Sequence, residues 1–175
     1  GHIDTLASCE LHYAQARVDQ MDREGQAVQI NFPTMLLTWP IAHDPKIGCA
    51  VARSYNNWIA SVSSQAPDRL KWVTAIDPKD PTAAAQEVYR TADMGSSGVM
   101  ILGMTGDIRV DDPQLEGVWA AAAETGLPVG VHVGHSFKAL GHVADTHHDK
   151  TVMPFWLTIM FGFQRVIAKG IADRY

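Results

Sequence analysis

Cysteine is scarce in this chain. Cys9 and Cys49 are the two among 175 residues, and their separation matches no metal-binding or redox motif. A disulfide scaffold is excluded, and so sparse a use of cysteine fits a reducing, cytoplasmic compartment. Basic residues are not in excess either. Fourteen Lys and Arg stand against nineteen Asp and Glu, a net charge of −5, which argues against nucleic acid or an anionic membrane as a partner. No apolar run reaches the roughly 18 residues that a membrane span requires. The uncharged run from Val152 to Phe163 reads instead as a deeply buried helix. No Gly-x-Gly-x-x-Gly follows the first strand and no phosphate loop occurs, so nucleotide-binding folds recede. No leader peptide is recognised, and Gly1-His2 reads as the remnant of a cleaved tag.

What is present fits a single domain, residues 1–175, with a hydrophobic fraction of 46% sufficient for a core. Leu11 to Gly25 has a helical pattern, marked by Val18 and Met21 and closed by Gly25. Ala27 to Pro33 reads as a strand, Asp44 to Ser64 as a helix, and Arg69 to Ile76 as a strand. Asp80 to Met94 is helical, Gly98 to Leu102 a strand, 103–110 a loop, and Asp112 to Thr125 a helix. Asp-Pro recurs at 44, 80 and 112, each time before a helical stretch. Aspartate is a good N-cap, and proline at the first helical position gives up only an unpaired amide. Intervals of one strand and one helix imply a parallel sheet, either an open doubly wound one or a closed barrel. The barrel is the better reading: an α/β fold of (β/α)8 TIM-barrel type, present as an incomplete barrel of about four to five βα units, since a full barrel takes roughly 250 residues.

Chemistry concentrates in Val129-Gly-Val-His-Val-Gly-His135. Leu127-Pro128 leads into extended backbone, Val129, Val131 and Val133 alternate, and His132 shares the other face with Gly130 and Gly134. An imidazole near the C-terminal end of a parallel strand stands where α/β proteins place their chemistry, as a metal ligand or general acid; a hydrogen-bonded core histidine is the plain alternative. His135 is either a donor to substrate, a support to a ligand, or inert. Trp39, Phe155 and Trp156 are candidates to wall an aromatic substrate, or simple packing. His142, Asp145, His147 and His148 form either a second ligand cluster or a solvated loop, and His12 and His43 default to the surface. Asp77, followed by Pro78, reads as a turn former rather than a catalytic acid.

Several segments resemble one known family in order and spacing. They are Val18-Asp-Gln-Met-Asp-Arg-Glu-Gly25, Val28-Gln-Ile-Asn-Phe-Pro33, Ala52-Arg-Ser-Tyr-Asn-Asn-Trp58, Ala66-Pro-Asp-Arg-Leu70, Gly98-Val-Met, and Leu115 to Gly134 with Trp119-Ala-Ala-Ala-Ala-Glu124. The chain resembles, from about 15 to 175, the amidohydrolase-related (amidohydrolase 2) proteins of the aminocarboxymuconate-semialdehyde decarboxylase type. The resemblance implies a barrel enzyme with a divalent metal (zinc foremost, manganese or iron otherwise). It implies a decarboxylase or hydrolase of a small, often aromatic or unsaturated, carboxylic acid. His132 falls on the family's strand-five metal ligand, while Trp39, His135 and Trp156 are expected near substrate. Leu6 and Ser8 stand where the family's first-strand His-x-His pair would be, and its later strands, with a further histidine and the acid–base aspartate, have no counterpart before Tyr175. The expected partners are therefore a small acid and further polypeptide, a second copy included. The alternative is a catalytically incompetent half barrel that serves as a partner or oligomerisation module.

Overall fold

The computed structural model describes residues 11, 13–37, 44–134 and 147–175, with the side chains of all of these except 35 and 147–155. Among the described residues the first element is helix α1 (Ala14–Glu24), which ends where Gly25 turns left-handed at φ 69°, a conformation that suits glycine. Strand β1 (Gln29–Asn31) is followed by a 3-10 turn at Thr34–Leu37 and helix α2 (Pro45–Ser63). Strands β2 (Leu70–Trp72) and β3 (Thr74–Ala75) precede α3 (Pro81–Asp93). Next come β4 (Val99–Leu102), the short strands β5 (Met104–Thr105) and β6 (Ile108–Arg109), and a 3-10 turn at Pro113–Leu115. Helix α4 (Glu116–Thr125), strand β7 (Val129–His132), α5 (His147–Ala168) and α6 (Ile171–Arg174) complete the order.

All three Asp-Pro signals do what their local chemistry dictates. The side chains of Asp44, Asp80 and Asp112 accept hydrogen bonds from the backbone N–H of Lys46, Ala83 and Gln114, with proline opening each helical turn. They satisfy amides that the first turn leaves without partners.

The strand expected over 69–76 is divided by a change of neighbour. Leu70–Trp72 pairs in parallel with β1, and Val73 N–H still reaches Asn31 C=O. Thr74 and Ala75 then pair in parallel with β4, and β4 pairs in parallel with β7 over four residues. The loop expected at 103–110 contains a small antiparallel hairpin, β5 with β6. The strands therefore follow the order β1, β2–β3, β4, β7, each pair parallel, with helices between them. This is part of a barrel wall.

Side-chain alternation divides the wall into two faces. Val99, Ile101, Val129 and Val131 pack toward α3 and α4, with Ala84, Val88, Val118 and Trp119. Leu70 and Trp72 pack toward α1 and α2, with Val18, Met21, Ile59 and Val62. Met100, Leu102, Gly130 and His132 are left on the inner face.

Helix α5 differs from the expectation of a deeply buried helix over 152–163. It is longer, and only one side is covered. Thr158 is 1% exposed, whereas Trp156, Met160, Phe163 and Ile167 are 60%, 64%, 62% and 59% exposed. Hydropathy registers the apolar content of the run but not the extent of wall available to cover it. Strands β4, β5 and β7 cover one face of the helix and leave the other open among the described residues.

Candidate functional site

The inner face carries His132 to the C-terminal end of the sheet. Its register partner is Leu102, and the ladder ends at this pair. The imidazole lies on the face opposite Val129 and Val131, turned away from the helices as the alternation predicts. Its ring centroid is 5.5 Å from that of Phe32, at an interplanar angle of 36°. Phe32 follows β1, so this contact joins the first described strand position to the last: the sheet curls, as a barrel wall must.

The tautomer of His132 follows from its partner. Nδ1 lies 2.8 Å from the carbonyl oxygen of Val133. A carbonyl can only accept, so Nδ1 carries the hydrogen and donates. In the neutral ring that leaves the Nε2 lone pair available, the arrangement in which histidine binds a metal.

Past the ladder, the backbone is held by packing from three sides. A Cβ on Gly134 would fall 2.9 Å from both Leu102 methyl carbons and 3.0 Å from the Leu37 carbonyl oxygen. The Gly134 carbonyl accepts a hydrogen bond from Thr158 Oγ1 at 3.1 Å. Helix α5 approaches closely because two glycines face each other. A Cβ on Gly162 would lie 2.5 Å from Gly103 Cα, and a Cβ on Gly103 would overlap the Thr158 carbonyl.

Of the residues expected at the site, His132 lies at the mouth of the wall and Trp156 on the exposed side of α5. Trp39 and His135 lie outside the described residues, as do His142 and Asp145; the side chains of Phe155, His147 and His148 are likewise not described. Among the described residues no group of three or more His, Cys, Asp or Glu is arranged to hold a metal. His132 thus fits a divalent cation as one donor, and any further donors must come from elsewhere. Sequence reading missed Phe32 and Thr158. The alternation of Val28, Ile30 and Phe32 was the available signal for the first; nothing local marks the second.

Asp77 is buried and forms a turn, as its proline neighbour suggests. Its Oδ1 accepts the Lys79 N–H at 3.0 Å, and Lys79 Nζ stands 3.6 Å from Oδ2. Burial raises its carboxyl above the ordinary range, and the Lys79 amide and charge counter this only in part. Oδ2 has no hydrogen-bond partner and rests where a side chain at Gly48 would have to be. Nearby, the Cys49 thiol is pushed up to about 11, first by burial and then by the negative charges of Asp77, Asp80 and Glu87. It is a protonated thiol at neutral pH and not an activated nucleophile.

Parallel strands in sequence order, helices on the outer face and an imidazole at the C-terminal mouth define a segment of a (β/α)8-type barrel. The sequence profile of the amidohydrolase family matches residues 7–175, and the chain belongs to that family. It is 28% identical over 147 residues to gamma-resorcylate decarboxylase of Rhizobium radiobacter, covering 78% of this chain and 44% of that protein. The 5-carboxyvanillate decarboxylase of Sphingomonas paucimobilis superposes with a TM-score of 0.77 at 23% identity, over 91% of this chain and 48% of that one. The dihydroxybenzoic acid decarboxylase of Polaromonas sp. JS666, solved with manganese and 2-nitroresorcinol, gives 0.75 at 21% identity, over 91% and 50%. The chain spans about half the length of these relatives.

Proposed function

We propose that this chain supplies four to five consecutive βα units of a metal-dependent decarboxylase acting on a small aromatic carboxylic acid, with His132 as one metal ligand. The observation that carries the reading is the His132 ring itself: on the inner face, at the C-terminal end of its strand, with Nδ1 bound to the backbone. A divalent cation held there, manganese as in the Polaromonas structure or zinc, would fix and polarise the acid's oxygens. Phe32 holds the imidazole plane from the side. Met100, Leu102 and Ala75 give the inner wall an apolar surface that keeps water from the ligand. Trp39, His135 and Trp156 are proposed to border the substrate, and further ligands and the proton-transferring acid to come from polypeptide outside the described residues. Decarboxylation is preferred to hydrolysis because the curated relative is a decarboxylase. The assignment to a single domain and to the cytoplasm rests on composition alone.

The test measures metal content and turnover of the full-length protein with 2,6-dihydroxybenzoate and 5-carboxyvanillate. Stoichiometric divalent metal is expected, lost in His132→Ala along with carbon dioxide release. A folded protein that takes up no transition metal would end this reading.

A second reading has one observation in its favour. Val28, Ile30 and Phe32 are exposed along the wall, and β1 and β7 each have a neighbour on one side only among the described residues. A module that completes itself against a second copy would cover them. Mass in solution separates the two, because a monodisperse monomer excludes self-completion.

A further inference from the structure

Beyond the ladder, two consecutive carbonyls lie next to the candidate ligand, and a side chain holds each. His132 Nδ1–H donates to Val133 C=O, and Thr158 Oγ1–H donates to Gly134 C=O. No strand pairing extends past His132, so neither peptide is fixed by the sheet. Glycine between them is free to swivel, and a rotation at Gly134 would carry the Val133 carbonyl away from the imidazole. Three contacts oppose that rotation: the Leu102 side chain, the Leu37 carbonyl and the Thr158 hydroxyl. Leu102 and Leu37 resist by crowding. Thr158 is the one that supplies a directed bond, from a side chain 1% exposed on a helix that the facing glycines Gly103 and Gly162 allow to approach closely.

We infer that Thr158 is a positioning residue for His132: it fixes the Gly134 peptide, and through it the tautomer and direction of the imidazole. The assignment rests on His132 being a ligand, but its immediate consequence is readable without any metal. The hydrogen bond from His132 Nδ1 sets which ring nitrogen is free to coordinate, and losing a bond of that kind costs about 10- to 100-fold in metal affinity; Thr158 acts on it through the adjoining peptide.

The experiment compares wild type with Thr158→Val, which keeps the shape and removes the donor, and Thr158→Ser, which restores it. Long-range proton–nitrogen spectra of histidine-labelled protein at pH 8.5, with the His132 signal identified by its loss in His132→Gln, report the tautomer. Manganese titration reports affinity. Wild type and Thr158→Ser should show Nδ1–H at His132, and Thr158→Val a mixture of tautomers with manganese binding weakened 10-fold or more. A single unchanged Nδ1–H signal in Thr158→Val would overturn the assignment, provided amide spectra show the variant folded. If Thr158→Val is unfolded, Thr158→Ala and Thr158→Cys are read in the same way. Should the tautomer respond while no variant, wild type included, binds manganese, the positioning role stands and the metal-site reading falls.

Discussion

Asn56 is wholly buried, and its amide is used on both sides. Nδ2 donates to Ala75 C=O at 2.9 Å and to Glu87 Oε1 at 2.8 Å, while Oδ1 accepts the Ala75 N–H at 2.9 Å. It therefore acts as a strand neighbour for β3, supplied by a helix. Asn56→Ala strips partners from a buried peptide and a buried carboxylate; the expected loss is about 3 kcal/mol, measured as a shift in the urea midpoint. The carboxylates give opposing pH signals. Burial alone would raise Glu87, but hydrogen bonds from Arg90 and Asn56 and the charges of Arg90 and Arg53 bring it below its ordinary value. Asp111 is lowered chiefly by its hydrogen bonds with Arg165. A depressed carboxylate stabilises the fold above the unfolded pKa of about 4, and that stabilisation is lost as pH falls through the lower folded value. Asp77 is raised, so its sign is reversed: it disfavours the fold once pH rises past the ordinary carboxylate range. Asp77→Asn should gain stability relative to wild type between pH 3 and pH 7. Denaturation midpoints across that range check this, and a difference that does not vary with pH would refute it.

At the scale of elements, the contact between α5 and β4 depends on the absence of side chains. Gly162→Ala places a methyl 2.5 Å from Gly103 Cα and 3.1 Å from Val131 Cγ1. The helix must move outward, at a cost of about 1–3 kcal/mol, with Thr158 drawn away from Gly134; thermal unfolding of the variant measures it. The helix starts were readable from sequence because a cap and its proline act within three residues of each other. The inner placement of His132 was readable too, since Val129 and Val131 declare the opposite face. Asn56 and Thr158 were not, because their partners lie 19 and 24 residues away and nothing in either residue's own neighbourhood names them. The covering of α5 was misread for a related reason. Burial of an apolar helix is decided by what stands opposite it, and the composition of 152–163 carries no record of that.

At the scale of the whole molecule, the described residues present apolar surface on the inner strand face at Ile30 and Phe32 and along the outer stripe of α5. Beside that stripe, a recess of about 750 Å³ is lined by Met104, Leu157, Met160 and Phe161 among others. Surfaces of this kind bind other apolar surfaces. The chain by itself should bind a hydrophobic dye strongly at neutral pH, and Met160→Glu with Phe163→Glu should reduce the fluorescence while leaving the circular dichroism unchanged. No helix among the described residues is long and apolar enough to cross a membrane, and the stripe is an interrupted one: Thr158 and Gly162 belong to the covered face.

The staple between Arg165 and Asp111 spans 54 positions. Helix α5 meets the end of β7 across a short separation, but its hold on β4 and on Asp111 requires that wide loop to close as well, at an added entropic cost. Its amides should accordingly exchange with deuterium sooner than those of β4 or α3. The segment that secures the histidine strand would be the last to settle and the first to come loose.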